Sequence, residues 1–211
     1  RMECFDISHM QGSETVASMV VFEGGVAKKS DYRRFKIRSA EGKPDDFKSM
    51  REVTTRRYGA PDAEMPDLIV IDGGKGQLSS ALEIIRGAGH LLVPVVGLAK
   101  REEEVFREGE SEPVILPRDS QALFLIQRIR DEAHRFAITY HRRLRGKRNM
   151  VSVLDHIEGI GPKRRQLLYE HYGELEKIKE ASVEEMAGLD GMNRPAAEAV
   201  YNFFLAQRNL R

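Results

Sequence analysis

Apolar positions change their spacing as the chain proceeds, and each change marks a different kind of element. Residues 3–9 and 15–23 are short apolar-rich runs of strand type, and 32–37 alternates Tyr, Phe and Ile with basic residues. Gly24-Gly25 marks a tight hairpin between the second and third. A turn containing Gln11 and Gly12 separates the first two, so the three predict an antiparallel meander. Pro44-Asp45-Asp46 then reads as a helix start with a carboxylate available as N-cap. Phe47, Met50, Val53 and Tyr58 continue it at near-helical spacing. The run Leu68-Ile69-Val70-Ile71 predicts a buried strand, 77–86 a helix and 93–99 a further strand. Residues 101–117 alternate acids and apolar groups as a hairpin does, and Asp119 to Arg145 has the pattern of a long helix. Strands followed by alternating helices and strands predict an α/β fold with a mixed sheet flanked by helices. From 152 to 211 the pattern becomes short helices punctuated by glycine, a second, all-α domain. The expected division is 1–145, a flexible basic linker at 146–151, and 152–211.

That pattern delivers one carboxylate to a privileged position. Asp72 ends the apolar run and opens the turn Gly73-Gly74-Lys75-Gly76, and ligands of open α/β sheets bind at the carboxyl ends of strands. Asp6 lies inside the first strand between Phe5 and Ile7, where an acid is costly to bury unless paired or metal-bound. If those strands are neighbours, both carboxylates can face one site, and two acids suit Mg²⁺ or Mn²⁺. On the long helix, Ala122, Ile126, Ile129, Ala133, Ala137 and Tyr140 form an apolar stripe, with Gln127, Arg130, His134 and His141 along its edge. His134 can serve there as a general base or as a ligand. Lys75 and Arg130 are candidates for neutralising a phosphate. The phosphate loop of nucleotide hydrolases needs G-x-x-x-x-G-K-[ST]. Lys75 is instead followed by Gly76 and the earlier glycine is missing, so that class is disfavoured.

Charge adds a second pointer. The net charge of +1 conceals a basic excess between 118 and 150, which holds 9 Lys or Arg against 3 Asp or Glu. It culminates in Arg142-Arg143-Leu144-Arg145-Gly146-Lys147-Arg148, the kind of stripe that binds polyanions. The single cysteine, Cys4, excludes an intrachain disulfide and a Cys-based zinc site, and suits a reducing, cytoplasmic setting. No apolar run approaches the roughly 18 residues of a membrane span.

Four segments carry a resemblance. Phe5-Asp6-Ile7-Ser8-His9, Ile71-Asp72-Gly73-Gly74-Lys75-Gly76-Gln77, Gly97-Leu98-Ala99-Lys100-Arg101 and Arg130-Asp131-Glu132-Ala133-His134-Arg135-Phe136-Ala137 together resemble the carboxyl-terminal half of the UvrC family. That family supplies the incision subunit of bacterial nucleotide excision repair. The resemblance implies an RNase H-like endonuclease domain followed by a tandem helix-hairpin-helix domain, with the 5′ incision relative to a lesion made by this half. It implies two aspartates and a histidine as the catalytic set, matching Asp6, Asp72 and His134, with Asp6 and Asp72 as metal ligands. A further acid linked to that incision matches Asp46, which the residue pattern makes a structural N-cap. Damaged double-stranded DNA and UvrB are the implied partners. The UvrB-contacting segment and the GIY-YIG half that makes the 3′ cut are expected to lie outside this chain.

Ile157-Glu158-Gly159-Ile160-Gly161-Pro162-Lys163-Arg164 resembles a helix-hairpin-helix turn. Gly159 and Gly161 would expose backbone N–H groups at a helix start, where an anion is favoured, and Lys163, Arg164 and Arg165 add positive charge. Such contacts hold the DNA backbone and carry little sequence information. The second copy, around Gly191 and Arg194, is degenerate because Asn193 replaces a glycine, so the first hairpin is expected to bind more strongly. A non-catalytic DNA-binding module is the competing class, separable by divalent-ion binding that depends on Asp6 and Asp72.

Overall fold

The computed structural model describes residues 1–9, 15–39, 44–99 and 104–208, without the side chains of 143, 147 and 148. It forms two compact units, Arg1–Thr139 and Tyr140–Arg211.

The first unit is built on one mixed sheet. Strand β1 (Met2–His9) pairs antiparallel with β2 (Thr15–Glu23) and parallel with β5 (Leu68–Ile71). Beyond β5 lies parallel β6 (Val95–Ala99), and then antiparallel β7 (Glu104–Arg107). The expected third strand is two pieces. The short β3 (Val26–Ala27) and β4 (Arg33–Lys36) both pair with β2, at opposite ends of it, with a 3-10 turn at Lys29–Asp31 between them. The turn expected around Gln11 and Gly12 lies outside the described residues. Of the expected 101–117 hairpin, residues 101–103 lie outside the described residues, and in the described part Val114 bridges back to Val105 of β7.

Alternation along β1 decides what each face of the sheet receives. Glu3 and Phe5 face α1 (Asp46–Tyr58), where the Phe5 and Tyr58 rings meet edge-on at 5.8 Å. Glu3 is fully buried there. It accepts from Tyr58 Oη at 2.5 Å and from Arg57 Nη2 at 2.9 Å, which offsets the desolvation of its charge. Burial, followed by the Glu3 charge, pushes the Tyr58 phenol well above its ordinary value. Cys4, Asp6 and Ser8 occupy the other face, toward α3 (Gln121–Leu154). The buried line of α3 in this unit is Leu123, Ile129, Ala133 and Ala137, whereas Ala122, expected in the stripe, is exposed. Tyr32 and Phe136 pack edge-on at 5.1 Å, and Tyr32 Oη donates to Glu132, tying α3 to the meander.

Helix α2 (Lys75–Gly87) starts two residues earlier than the pattern suggests, directly from the turn after Asp72. That turn sits tightly against β6. A Cβ on Gly97 would come within 2.8 Å of the Gly73 carbonyl oxygen, so only glycine lets β6 approach so closely.

The second unit is helical. It holds the last part of α3, then α4 (Pro162–Tyr172), α5 (Leu175–Glu180), α6 (Val183–Ala187) and α7 (Arg194–Arg208). Its core includes Met150, Leu154, Leu168, Ile178, Met186, Val200 and Phe204. Residues 146–151, expected as a flexible linker, are helical within α3. One glycine costs a helix only about 1 kcal/mol, and the extension carries Met150 and Leu154 into this core. No helix among the described residues is long and apolar enough to cross a membrane.

Candidate metal centre

The parallel pairing of β1 with β5 sets Phe5 beside Ile71, so the next residues, Asp6 within β1 and Asp72 just past the end of β5, come side by side. Asp72 N–H donates to the Phe5 carbonyl at 2.9 Å, which fixes that register. From α3, His134 reaches the same place. One ligand atom from each of Asp6, Asp72 and His134 lies within 4.8 Å of the others. The two carboxylates are 2% and 7% exposed, while the imidazole is exposed at the mouth. Two carboxylates within 4.8 Å repel by about 3.5 kcal/mol at an effective dielectric constant of about 20. The negative potential registers on Cys4 beneath them. Its thiol is pushed well up, first by burial and then by the charges of Asp72 and Asp6.

This donor set fits a small divalent ion. Carboxylate oxygens with one imidazole suit Mg²⁺ and still better Mn²⁺. Ligands at about 2.1 Å from an ion are at most about 4.2 Å apart, so closing on one requires only a modest contraction.

The supporting residues separate into those near the centre and those held elsewhere. Arg130, one turn before His134 on α3, is 15% exposed, bonds Asp131 Oδ1 at 2.8 Å, and its charge is felt by Cys4. Lys75 is directed away, with its ammonium donating to the Ser111 carbonyl and lying 5.4 Å from the Phe106 ring centroid. Asp46 is not the N-cap of α1. Asp45 caps the helix by accepting from Lys48 N at 3.0 Å, because it is the last residue in extended backbone. Asp46, in the first turn, instead meets His9 Nε2 at 2.5 Å and accepts from Gln77 Nε2 at 3.3 Å. His9 alternates with Asp6 along β1, which sets this network on the opposite face of the sheet. Ser8, which the sequence reading did not single out, donates to Asp6 Oδ2 at 2.6 Å. Its signal was available, since residues i and i+2 of a strand share a face.

In the helical unit, Gly159 and Gly191 both have left-handed backbone, with φ of 80° and 97°, which produces two equivalent turns. The first leads into α4 through Gly161 as N-cap, with no capping side chain, leaving the early N–H groups of α4 open to an anion. In the second, Asn193 Oδ1 accepts from Ala196 N at 3.0 Å and takes up one such donor.

Among the cations, Lys163 is exposed. Arg164 is not: its guanidinium spans the two turns, donating to Gly159 O at 2.7 Å and reaching Gly191 O at 3.4 Å. Arg165 is ion-paired with Asp155. Arg194 bonds Glu198 Oε1 at 3.0 Å. The geometry that lets a helix start bind phosphate also leaves turn carbonyls needing donors, and two expected DNA contacts, Arg164 and Arg165, are engaged within the fold. Arg142 is exposed on α3, and the Arg143 side chain lies outside the described residues.

Comparison with known proteins agrees with both units. The family described as the UvrC RNAse H endonuclease domain matches residues 1–138, and the SAM-like helix-hairpin-helix tandem matches 151–204. UvrABC system protein C of Desulforudis audaxviator is 46% identical over 97% of this chain and 36% of its own length. Its counterpart in Gloeobacter violaceus is 49% identical over 97% and 34%, and that of Chlorobaculum tepidum 49% over 98% and 33%. The chain thus spans about a third of the length of these relatives. With the endonuclease-domain family matched over most of the chain, and the three-residue centre lying within the matched part, the protein belongs to the UvrC family.

Proposed function

We propose that this chain is a divalent-metal-dependent endodeoxyribonuclease that makes the 5′ incision relative to a lesion in bacterial nucleotide excision repair. The observation that carries the proposal is the convergence of Asp6, Asp72 and His134 within 4.8 Å where the parallel pairing of β1 with β5 ends. Asp6 and Asp72 hold Mg²⁺ or Mn²⁺ between them. When bound, the ion supplies Lewis acidity toward a phosphodiester and lowers the pKa of a water. His134, exposed at the mouth, either accepts the proton of the attacking water or completes the ligand set. Arg130 is near enough for its charge to be felt beside the two carboxylates, so it counters the negative charge that a DNA phosphate adds.

The helical unit binds duplex DNA without sequence preference. The uncapped start of α4 and Lys163 supply contacts to the phosphate backbone, which position DNA without reading bases. UvrB is the partner in the incision complex. Asp6→Ala placed in the full-length protein, in a reconstituted incision reaction on lesion-bearing DNA labelled at its 5′ end, is the direct test. The 5′ cut disappears while DNA binding persists; undiminished 5′ cutting rejects the assignment.

A further inference from the structure

Asp6 is flanked by two serine hydroxyls. Ser8, two residues along β1 and on the same face, donates to Asp6 Oδ2 at 2.6 Å, the only sense possible when the acceptor is a carboxylate. On β2, Ser18 stands directly opposite Asp6 in the antiparallel register. Opposed residues share a face with their Cβ atoms about 4.5–5.5 Å apart. Ser18 is fully buried, and its Oγ has no hydrogen-bond partner among the described residues. Its neighbours on the strand, Val16, Ala17, Met19, Val20 and Val21, are buried and apolar. Nothing in the packing of β2 requires a hydroxyl at that point, and alanine would occupy it without desolvating an oxygen.

We propose that Ser8 and Ser18 are positioning residues for the divalent ion, an inference that rests on the metal reading of the Asp6, Asp72 and His134 cluster. Ser8 holds the Asp6 carboxylate by one lone pair of one oxygen, fixing its rotamer and leaving its other lone pairs for coordination. Ser18 receives or donates a hydrogen bond with a water of the ion's hydration shell. Small divalent ions such as Mg²⁺ keep several waters when two carboxylates bind them, and those waters need partners. Hydroxyls that orient a ligand or a bound water change affinity without touching the ion.

The experiment is Mn²⁺ titration of the whole chain, following free Mn²⁺ by electron paramagnetic resonance. It compares wild type with Ser8→Ala, Ser18→Ala, Ser8→Thr and Asp6→Ala, with thermal melts in EDTA reporting folding. Each serine-to-alanine change is expected to weaken Mn²⁺ binding by roughly tenfold or more. Ser8→Thr, which keeps the hydroxyl on a strand, returns affinity to near wild type. The EDTA melt of Ser18→Ala should not fall. Wild-type Mn²⁺ affinity in either folded alanine variant overturns the proposal. Should Ser8→Ala fail to fold, Ser18→Ala decides alone, because it removes one buried oxygen and no volume elsewhere. Mn²⁺ binding that survives Asp6→Ala overturns the metal reading itself, and this inference with it. Binding that needs Asp6 yet ignores both serines overturns only the hydroxyl roles.

Discussion

Replacing Asp6 by asparagine removes one of two buried negative charges while keeping the shape of the side chain. In metal-free protein the change should stabilise. The Asp6–Asp72 repulsion, about 3.5 kcal/mol for two charges at the outer limit of 4.8 Å, is abolished. The asparagine oxygen still accepts from Ser8, and its amide can donate toward Asp72. Part of the gain is returned, because Arg130, whose charge reaches Cys4 on the same face, also favours a negative charge there. A net gain of about 1–3 kcal/mol remains. For a domain of this size, about 2 kcal/mol corresponds to roughly 4–8 °C in Tm. Urea or thermal unfolding in EDTA measures it. Saturating Mn²⁺ should close or reverse the gap, since an ion at about 100 times its Kd adds about 2.7 kcal/mol to whichever protein binds it. Wild type gains this and Asp6→Asn does not. A variant less stable than wild type in EDTA, or one stabilised equally by Mn²⁺, refutes the picture of a repulsive carboxylate pair awaiting a cation.

Other outcomes follow from neighbouring geometry. Gly97→Ala drives a methyl group against the Gly73 carbonyl oxygen and should cost about 1–3 kcal/mol. Because Gly73 adjoins Asp72, Mn²⁺ affinity should fall too, and a folded variant with unchanged affinity would contradict the coupling. In the helical unit, Lys163→Ala should reduce the slope of log K for duplex DNA against log salt by about 1, as loss of one phosphate contact does. Arg164→Lys should lower affinity and Tm while leaving that slope unchanged, because Arg164 holds the two turns together. Glu132 is kept below its ordinary pKa chiefly by its bonds from Arg135, with Tyr32 adding to it. A depressed carboxylate stabilises above its unfolded pKa and loses that contribution as pH falls through the folded one. The stability gap between wild type and Glu132→Gln should therefore be present at neutral pH and close in acid. A gap that does not change between neutral pH and pH 3 would remove Glu132 as the titrating group.

How much of this was legible beforehand depends on whether a feature is set by local pattern or by register. Strand and helix periodicities placed Asp6, Asp72 and His134 on the right elements, and the edge-of-stripe position of His134 is a property of α3 alone. Register was not legible. The pairing of Phe5 with Ile71 is what turns two separate acids into one site, and it depends on backbone bonds between segments more than 60 residues apart. The splitting of the third strand into β3 and β4 likewise depends on pairing to both ends of β2. Cations were read least well. A basic residue beside a glycine turn looks like a phosphate ligand in sequence, yet Lys75 and Arg164 are occupied by backbone carbonyls of nearby loops, and Arg165 by a carboxylate. Long flexible side chains reach partners that periodicity cannot name.

The two buried acids of β1 show how this fold separates structure from chemistry. Glu3 and Asp6 are both almost inaccessible, three residues apart and on opposite faces of one strand. Glu3 is surrounded by donors: Arg1, Arg57 and Tyr58 all bond its oxygens. Its charge is compensated within the protein. Asp6 receives one hydroxyl from Ser8 and a like charge at Asp72. The same strand satisfies one acid fully on one face and presents the other beside a second carboxylate, the arrangement from which the metal-dependent proposal starts. In the proposed metal-bound state a divalent ion would add its positive charge to that of Arg130 on the Asp6 face and give an incoming phosphodiester something to bind. Removing the repulsion, as Asp6→Asn does, should therefore improve the fold and abolish the ion's hold in a single step.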